Sequence, residues 1–392
     1  MAGAALARRS ARNARRCARG VVMTAPDLAG RRVFVFAKGF APDEGGMQTY
    51  AAGVAHGYAA LGASVTVFSQ TSIGPRVFEA DGLRLVDIGP GKSPLVIARL
   101  RAAVRREMRA NGAPDFVHAT TWRTAVIARL AGLAFAVTVH GREMARTQGL
   151  AAMVMRHVLA RAERIVAVSH YTRRVLLVRF PELTERTVIA WNGCDSDPAS
   201  ACGPKDTDPP LVLTLCRIEP RKNVATAIGA VAACNSPAIR CHYIVAGRGP
   251  DLAKIRAQAE RLSQGQAIRI AGFVSDDEMA TLYHRAAIFL HPQIAVEQGR
   301  DFEGFGIAIA DAMAAGCACI VGRDGGTPEL VEDGVSGIVV DGHDGEEVGA
   351  ALRMLLDDTE RCRAIGTAAR TRAARFTWDR HVRIALGTIP GD

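Results

Sequence analysis

Residues 303–316 read Glu-Gly-Phe-Gly-Ile-Ala-Ile-Ala-Asp-Ala-Met-Ala-Ala-Gly, a carboxylate, a glycine-rich turn and an apolar helix-forming run closed by a glycine. Gly304 and Gly306 let the backbone come close to a ligand, and the helix that begins near Ile307 offers unsatisfied N–H groups to a phosphate. Glu303 and Asp311 are eight positions apart, slightly over two helical turns, so a helix spanning both would set their carboxylates on roughly the same side near its start. An apolar run, Ala318 to Val321, follows directly. Gly325, Gly326, Thr327, Pro328 and Glu329 then repeat the design of a glycine turn before a proline-started helix.

Outward from this stretch the chain alternates short β-like runs with longer helical ones. In the second half the runs are Leu211 to Cys216, His242 to Ala246, Ala267 to Ala271, Ile288 to His291, Ala318 to Val321 and Gly337 to Val340. In the first half they are Arg31 to Ala37, Ser64 to Phe68, Asp115 to His118, Ala136 to His140 and Ile165 to Ser169, with a helical stretch from Thr49 to Leu61. Strand and helix in alternation argue for parallel sheets with covered faces. Between the halves, residues 192–210 break into Asn, Gly, Asp, Ser and Pro, the composition of a linker. The expected organisation is α/β with two Rossmann-like domains facing each other across a cleft. Their expected bounds are 31–195 for the first and 196–376 for the second, with a terminal helix at about 377–392 returning to the first.

In such domains ligands bind outside the carboxyl ends of the strands, and the chemically informative residues stand there. Gly45 and Gly46 follow the first strand and can bring backbone N–H groups to a phosphate or an acceptor hydroxyl, or form a plain turn. His140 and Gly141 end another strand, with Glu143 close by; there the histidine is a catalytic candidate or a satisfied structural residue. Arg217 and Lys222 follow the first strand of the second half. Two cations at a strand end suit a diphosphate, Arg as a bidentate fork and Lys as a point charge; a solvated loop is the alternative.

The chain has 392 residues, 49% hydrophobic and 22% charged, a soluble globular composition for which two domains are natural. Residues 23–195 carry 22 Lys/Arg against 13 Asp/Glu, net +9, and residues 196–392 carry 21 against 26, net −5. The first half is therefore expected to meet the anionic partner. Residues 1–22 hold six arginines, no acid and no apolar core, so residues 1–30 are read as a disordered basic leader. Nine cysteines without CxxC or zinc spacing point to a reducing, cytoplasmic setting. No run of 18 residues is apolar and uncharged. From Ser93 to Ala110, however, Val96, Leu100, Val104 and Met108 form a stripe flanked by Arg99, Arg101, Arg105, Arg106 and Arg109. It reads as a basic amphipathic helix, packed on the sheet or attached peripherally to an anionic membrane at its inner face.

In order, the segments Gly45–Gly46, His140–Gly141, Ser169 to Thr172, Asn192 to Asp195, Arg217 with Lys222, Val245 to Gly249, Glu303 with its partner acid, and Gly325 to Glu329 resemble the GT4-type retaining glycosyltransferases, from Val33 to Trp378. Each motif is weak alone; their order and spacing are specific. The resemblance implies the GT-B fold, a nucleotide-diphosphate sugar as donor, a glycan or lipid-linked acceptor in polysaccharide or glycolipid synthesis, retention of anomeric configuration, no cofactor, no metal and no nucleic-acid partner. Carried over, Arg217 and Lys222 hold the donor diphosphate and stabilise the charge that develops on it. Glu303 binds hydroxyls of the transferred sugar, with Gly304, Phe305, Gly306 and Ile307 beside the donor. His140 lies near sugar and phosphate, and Gly45 and Gly46 near phosphate and acceptor. The base lies near Gly272 and Val274. The family's second acid is Asp311 rather than Glu here, shorter by about 1.5 Å, which weakens or re-aims the ribose contact.

Asp195 and Asp197 spell a D-x-D that could hold Mg²⁺ or Mn²⁺, although Asp195 already belongs to the Asn192 to Asp195 turn. A nicotinamide-dependent dehydrogenase would share the Rossmann halves but needs a G-x-G-x-x-G absent after the first strand. A nucleotide-sugar-binding protein that has lost catalysis, or another GT-B activity such as an epimerase, are the remaining alternatives.

Overall fold

The apolar, β-branched runs form strands because both of their faces are covered, as parallel sheets require. A computed structural model describes residues 28–40, 43, 45–91, 93–194, 205, 208–235, 238, 240–262 and 267–392. The chain forms two units: the described residues up to Gly193 together with Thr377–Asp392, and Cys194–Phe376. Residues 1–27 of the leader and the Asp195–Asp197 triplet lie outside the described residues; the expected disorder does not reach residue 30, because Leu28–Gly30 form a turn whose Leu28 N–H donates to the Leu61 carbonyl at 3.0 Å.

The first unit holds eight strands: β1 Arg32–Phe36, β2 Ser64–Ser69, β3 Arg76–Ala80, β4 Leu83–Asp87, β5 Phe116–Ala119, β6 Ala136–Val139, β7 Arg164–Ala167 and β8 Thr187–Ile189. They order as β3-β4-β2-β1-β5-β6-β7-β8. All neighbours are parallel except the β3–β4 pair. β1 is fixed on both sides, Val33 standing opposite Val65 and Phe116. Phe34, Phe36, Phe68, Val117 and Val137 lead into its core. Three strands were not expected from the sequence. β3 and β4 are a hairpin turning at Asp81 and Gly82, both at positive φ, and β8 has only three residues.

The second unit holds β9 Leu211–Leu215, β10 His242–Ala246, β11 Ile268–Gly272, β12 Ile288–His291, β13 Ala318–Gly322 and β14 Ile338–Val340. Its order is β11-β10-β9-β12-β13-β14, parallel throughout. The order reverses direction between β9 and β12, and in the first unit between β1 and β5. At such a reversal the loops leaving adjacent strands diverge and open a crevice at the carboxyl edge.

The helix Ser93–Asn111 forms as expected, but its stripe is committed elsewhere. Leu100 and Val104 are buried in the core, with Val96 and Met108 packed against it. The stripe is therefore not available to lipid. The first helix starts at Gly46 rather than Thr49, with Gly45 at its N-cap.

The chain re-enters the first unit at the helix Trp378–Leu386. Trp378 seats against two glycines: a Cβ at Gly53 or Gly193 would lie 2.0 or 2.5 Å from the indole. Any larger residue there would expel it.

Candidate active site

In the second unit the β9–β12 reversal gathers charge. After β9 the chain runs through Arg217 and Glu219 into a short 3₁₀ turn, Pro220–Lys222, and Asn223 then takes φ +54 to start the helix Val224–Cys234. The Asn223 amide pays for that conformation by donating to the Pro292 and Gly342 carbonyls at 2.9 and 2.6 Å. Lys222 is thereby held buried, and its ammonium donates to the Glu303 carboxylate. Arg221, beside it, pairs with Glu219 and lies 3.7 Å from Glu303 and 3.9 Å from Asp301.

The electrostatics follow from this packing. Burial alone would raise the Glu303 carboxyl, but Lys222 and Arg221 outweigh it and bring it down to about 2. Burial opposes the Arg221 charge, yet Glu303, Glu219 and Asp301 hold it more firmly protonated than usual. His291, at the end of β12, is pushed down to about 3 by burial and by Lys222. An imidazole that is neutral near pH 7 thus sits among fixed charges. Its Nδ1 and the Arg221 Nε are buried without a hydrogen-bond partner. Buried polar atoms are almost always satisfied, so two orphans in one cluster mark where a polar ligand would complete the set.

The loops around this cluster are set by close backbone approach. A Cβ at Gly247 would lie 1.8 Å from the Cys216 carbonyl oxygen, and one at Gly249 would lie 2.0 Å from that of Ile218, so only glycine lets the β10 loop rest on the β9 loop. Gly325, at φ +81, passes 2.4 Å in the same sense from the Glu303 carbonyl, and the Gly326 N–H donates to that carbonyl at 2.9 Å. The glycine turn at Gly325 and Gly326 therefore fixes the backbone of Glu303. Gln293, fully buried, ties β12 to the same turn. Its amide donates to the Gly322 carbonyl at 2.7 Å and to Thr327, and its oxygen accepts from the Gly322 N–H at 3.1 Å.

One expectation fails on geometry. The helix spans only Ile307–Ala314, with Gly306 at φ +92 as its cap. Glu303 lies in the preceding loop, so the two-turn argument for Glu303 and Asp311 does not apply. Asp311 is buried within the helix, and its charge pushes the Tyr283 hydroxyl up beyond what burial does. Phe305 is buried edge-on against Phe376 at 5.6 Å, a packing role. Arg217 is 72% exposed and reaches the cluster only through Glu219, at 2.7 Å. Gly272 closes β11 at φ +70, its carbonyl accepting from the Gly247 N–H at 2.6 Å, and Val274 follows two residues on. Glu219, Arg221, His291 and Gln293 went unread in the sequence. Arg221 and Glu219 had a signal, both lying inside the Arg217 to Lys222 stretch.

In the first unit, His140 ends β6 with its Nε2 2.9 Å from the Thr120 carbonyl at the end of β5. Its backbone N–H donates to Glu143 at 2.7 Å. Tyr50 packs edge-on against its ring at 4.7 Å. Behind Tyr50 runs a fully buried chain. Its hydroxyl lies 2.5 Å from Thr138 Oγ1 and 2.7 Å from His381 Nε2. His118 Nε2 meets Thr138 at 2.8 Å, and His118 Nδ1 meets the Tyr58 hydroxyl at 2.8 Å. His381 Nδ1 is 3.0 Å from the Trp191 carbonyl. Burial depresses both histidines, His118 well below the usual range and His381 to about 4. Gly45, at φ +142, caps the helix Gly46–Ala60, and its carbonyl accepts from the Gln48 and Thr49 N–H groups. None of Tyr50, Thr138, His118 and His381 was singled out in the sequence, because no local spacing connects them. Among the described residues no three His, Cys, Asp or Glu side chains are grouped as a metal site, and no helix is long and apolar enough to cross a membrane.

Two mainly parallel-sheet units, each with a switch point at its carboxyl edge, make up the architecture of the GT-B fold. Known structures agree on the fold. Sucrose-phosphate synthase from Thermosynechococcus elongatus superposes with a TM-score of 0.72 at 20% identity, covering 91% of this chain and 97% of its own. Anabaena HepE in complex with UDP does so with a TM-score of 0.70 at 18% identity, covering 92% and 100%. The model of glycosyltransferase family 4 matches residues 44–198, and that of glycosyl transferases group 1 matches residues 196–372. D-inositol 3-phosphate glycosyltransferase of Geodermatophilus obscurus is 30% identical over 386 residues, covering 87% of this chain and 84% of that protein. A GDP-mannose-dependent alpha-(1-6)-phosphatidylinositol monomannoside mannosyltransferase of Mycobacterium tuberculosis is 28% identical over 369 residues, covering 89% and 95%. The chain belongs to the GT4-type, group 1 glycosyltransferase family.

Proposed function

We propose that the chain transfers a hexose from a nucleotide-diphosphate sugar to a glycan or lipid-linked acceptor, with retention of configuration and with neither metal nor cofactor. The observation that carries this reading is the buried Lys222–Glu303 pair flanked by Arg221 at the β9–β12 reversal. Lys222 and Arg221 supply fixed positive charge where a metal would otherwise act, and they cost no reorganisation as charge develops on the leaving phosphate. A diphosphate drawn to Lys222 releases Glu303 to accept hydrogen bonds from sugar hydroxyls. The sugar–phosphate C–O bond breaks, the acceptor oxygen bonds to the same carbon on the same face, and the acceptor's proton passes to the leaving phosphate. His140 stands near the sugar, and Asp311 near the ribose. The relatives' GDP-mannose and inositol phosphate substrates and the neighbour solved with UDP-glucose support this substrate class.

The test is a thermal-shift screen of UDP, GDP and ADP sugars followed by turnover with the donor found, since a ligand that binds only the native state raises the melting temperature. The expected result is one stabilising nucleotide, activity nearly unchanged in EDTA, and a product with the donor's anomeric configuration. Loss of activity restored by Mn²⁺ would reinstate the Asp195 and Asp197 metal reading; an inverted product would remove the retaining mechanism.

A further inference from the structure

The backbone around Arg217 is fixed and its side chain is not. On either side of it the Cys216 and Ile218 N–H groups donate to the Ala246 and Arg248 carbonyls at 3.1 and 2.9 Å, with Gly247 and Gly249 allowing the close approach. The Arg217 side chain is 72% exposed, and its contact with Glu219 is made by the inner nitrogen, Nε, at 2.7 Å from Oε1. Its two Nη groups donate no hydrogen bond among the described residues. Glu219 is a different kind of group. Its carboxylate is 11% exposed, and its other oxygen accepts from Nη1 of Arg221, which is itself well buried. The Arg221 backbone carbonyl accepts from the Ile294 N–H at 2.9 Å, which ties that arginine to the chain after β12. One oxygen of Glu219 is therefore held by a buried cation while the other reaches out to an exposed one. An ion pair with a partner this exposed adds little to stability, so the fold does not require the contact.

We propose that Glu219 is a positioning residue for the donor diphosphate, holding Arg217 by its inner nitrogen so that the two terminal nitrogens stand ready as a bidentate fork for phosphate oxygens. The inference rests on the reading of a nucleotide-diphosphate donor and deepens it by assigning the group that aims its exposed cation. An unheld arginine must be ordered when the donor binds, and a held one is ordered beforehand. Fixed donors also meet the charge that develops on the leaving phosphate without reorganising first. The sharing explains why a carboxylate stands at this position. Two oxygens serve two arginines, whereas an amide offers a single acceptor, which buried Arg221 would take.

The experiment measures kcat/KM with the stabilising donor, and calorimetric affinity for UDP, GDP and ADP, in wild type, Glu219→Gln, Arg217→Ala and the double variant. Each single variant should lose about tenfold to a hundredfold in kcat/KM, Glu219→Gln with a nearly unchanged melting temperature. The double variant should fall no more than about threefold below Arg217→Ala alone, because residues that act through one another are not additive. Losses that multiply, or wild-type turnover in Glu219→Gln, would overturn the proposal by showing that Glu219 serves only the buried cluster. Arg217→Lys keeps a cation at an exposed position where folding is not at stake. Its single ammonium cannot be held by Glu219 and also present a fork, so it should lose about tenfold; full activity in it would likewise overturn the proposal. Wild type that binds one of the diphosphates yet turns over no donor would overturn the transferase reading, and the positioning role would then be read from the same cycle in the affinities. Wild type that binds none of the three overturns both.

Discussion

The two units each bury a polar cluster, the first between the helix Gly46–Ala60 and strands β5 and β6, the second at the carboxyl edge of its sheet, and the clusters are built on opposite principles. In the first unit Tyr50, Thr138, His118, Tyr58 and His381 are neutral, and each is joined to a neighbour at hydrogen-bond distance. In the second, Lys222, Glu303, Arg221 and Glu219 are charged, and the cluster leaves Arg221 Nε, which has only ion-pair contacts beyond hydrogen-bond distance, and His291 Nδ1 without hydrogen-bond partners. A neutral, satisfied network specifies one arrangement of the core. A charged, incompletely satisfied one carries a desolvation cost that a ligand can offset. Under the proposed function the first cluster is scaffold and the second carries the chemistry.

The largest expected effect comes from Lys222→Ala, which leaves Glu303 buried beside only Arg221. Turnover should fall about 10²- to 10³-fold, and stability by about 3 kcal/mol or more, as when one partner of a buried pair is removed. Adding Glu303→Gln should restore much of the melting temperature but none of the activity. If the double variant regained turnover, the cluster would be scaffold after all.

Tyr50→Phe should show the reverse pattern. Removing the hydroxyl leaves Thr138 and His381 short of a partner, at about 1–3 kcal/mol. Activity measured well below the melting temperature should then drop less than about tenfold. A larger loss in kcat at unchanged KM would show that Tyr50 acts on the reaction through His140, and the contrast between the units would narrow.

The smallest effect separates the units by pH. His56, His118, His291 and His381 all titrate below the ordinary value of 6.5 in the folded chain, His381 near 4 and His291 near 3. The unfolded chain takes up these protons near pH 6.5 and the folded chain does not, so stability falls as pH drops from about 6.5 towards 4. Glu303, lowered from 4.5 to about 2, contributes fully above 4.5 and loses its contribution between 4.5 and 2. Melting temperature against pH should therefore lose part of its slope between about 6.5 and 5 in His381→Gln, whereas Glu303→Gln should change the slope below about 4.5.

The alternation of strand and helix was legible because buried parallel strands announce themselves as apolar runs; β1, β2, β5, β6, β7 and all six strands of the second sheet were read within a residue or two. The β3–β4 hairpin was missed although its Asp81–Gly82 turn between alternating runs is a hairpin signal. β8 is too short to carry a period. The site divides the same way. Lys222 and Glu303 were legible because each sits next to a local glycine or strand-end signal, and their pairing across 81 positions was not. His291 and Gln293 look like the continuation of a strand, and His381 like part of a terminal helix; only the assembled fold gives them partners.

The seat of Trp378 on Gly53 and Gly193 has a consequence in time. The helix Trp378–Leu386 supplies His381 to the first unit's buried network, yet it leaves the ribosome only after all of Cys194–Phe376 has been made, a delay of roughly 10 to 40 s at ordinary elongation rates. Until then Tyr50 and the Trp191 carbonyl lack His381, and the glycine seat stands open to water. The half of the protein that is synthesised first is the half that is finished last.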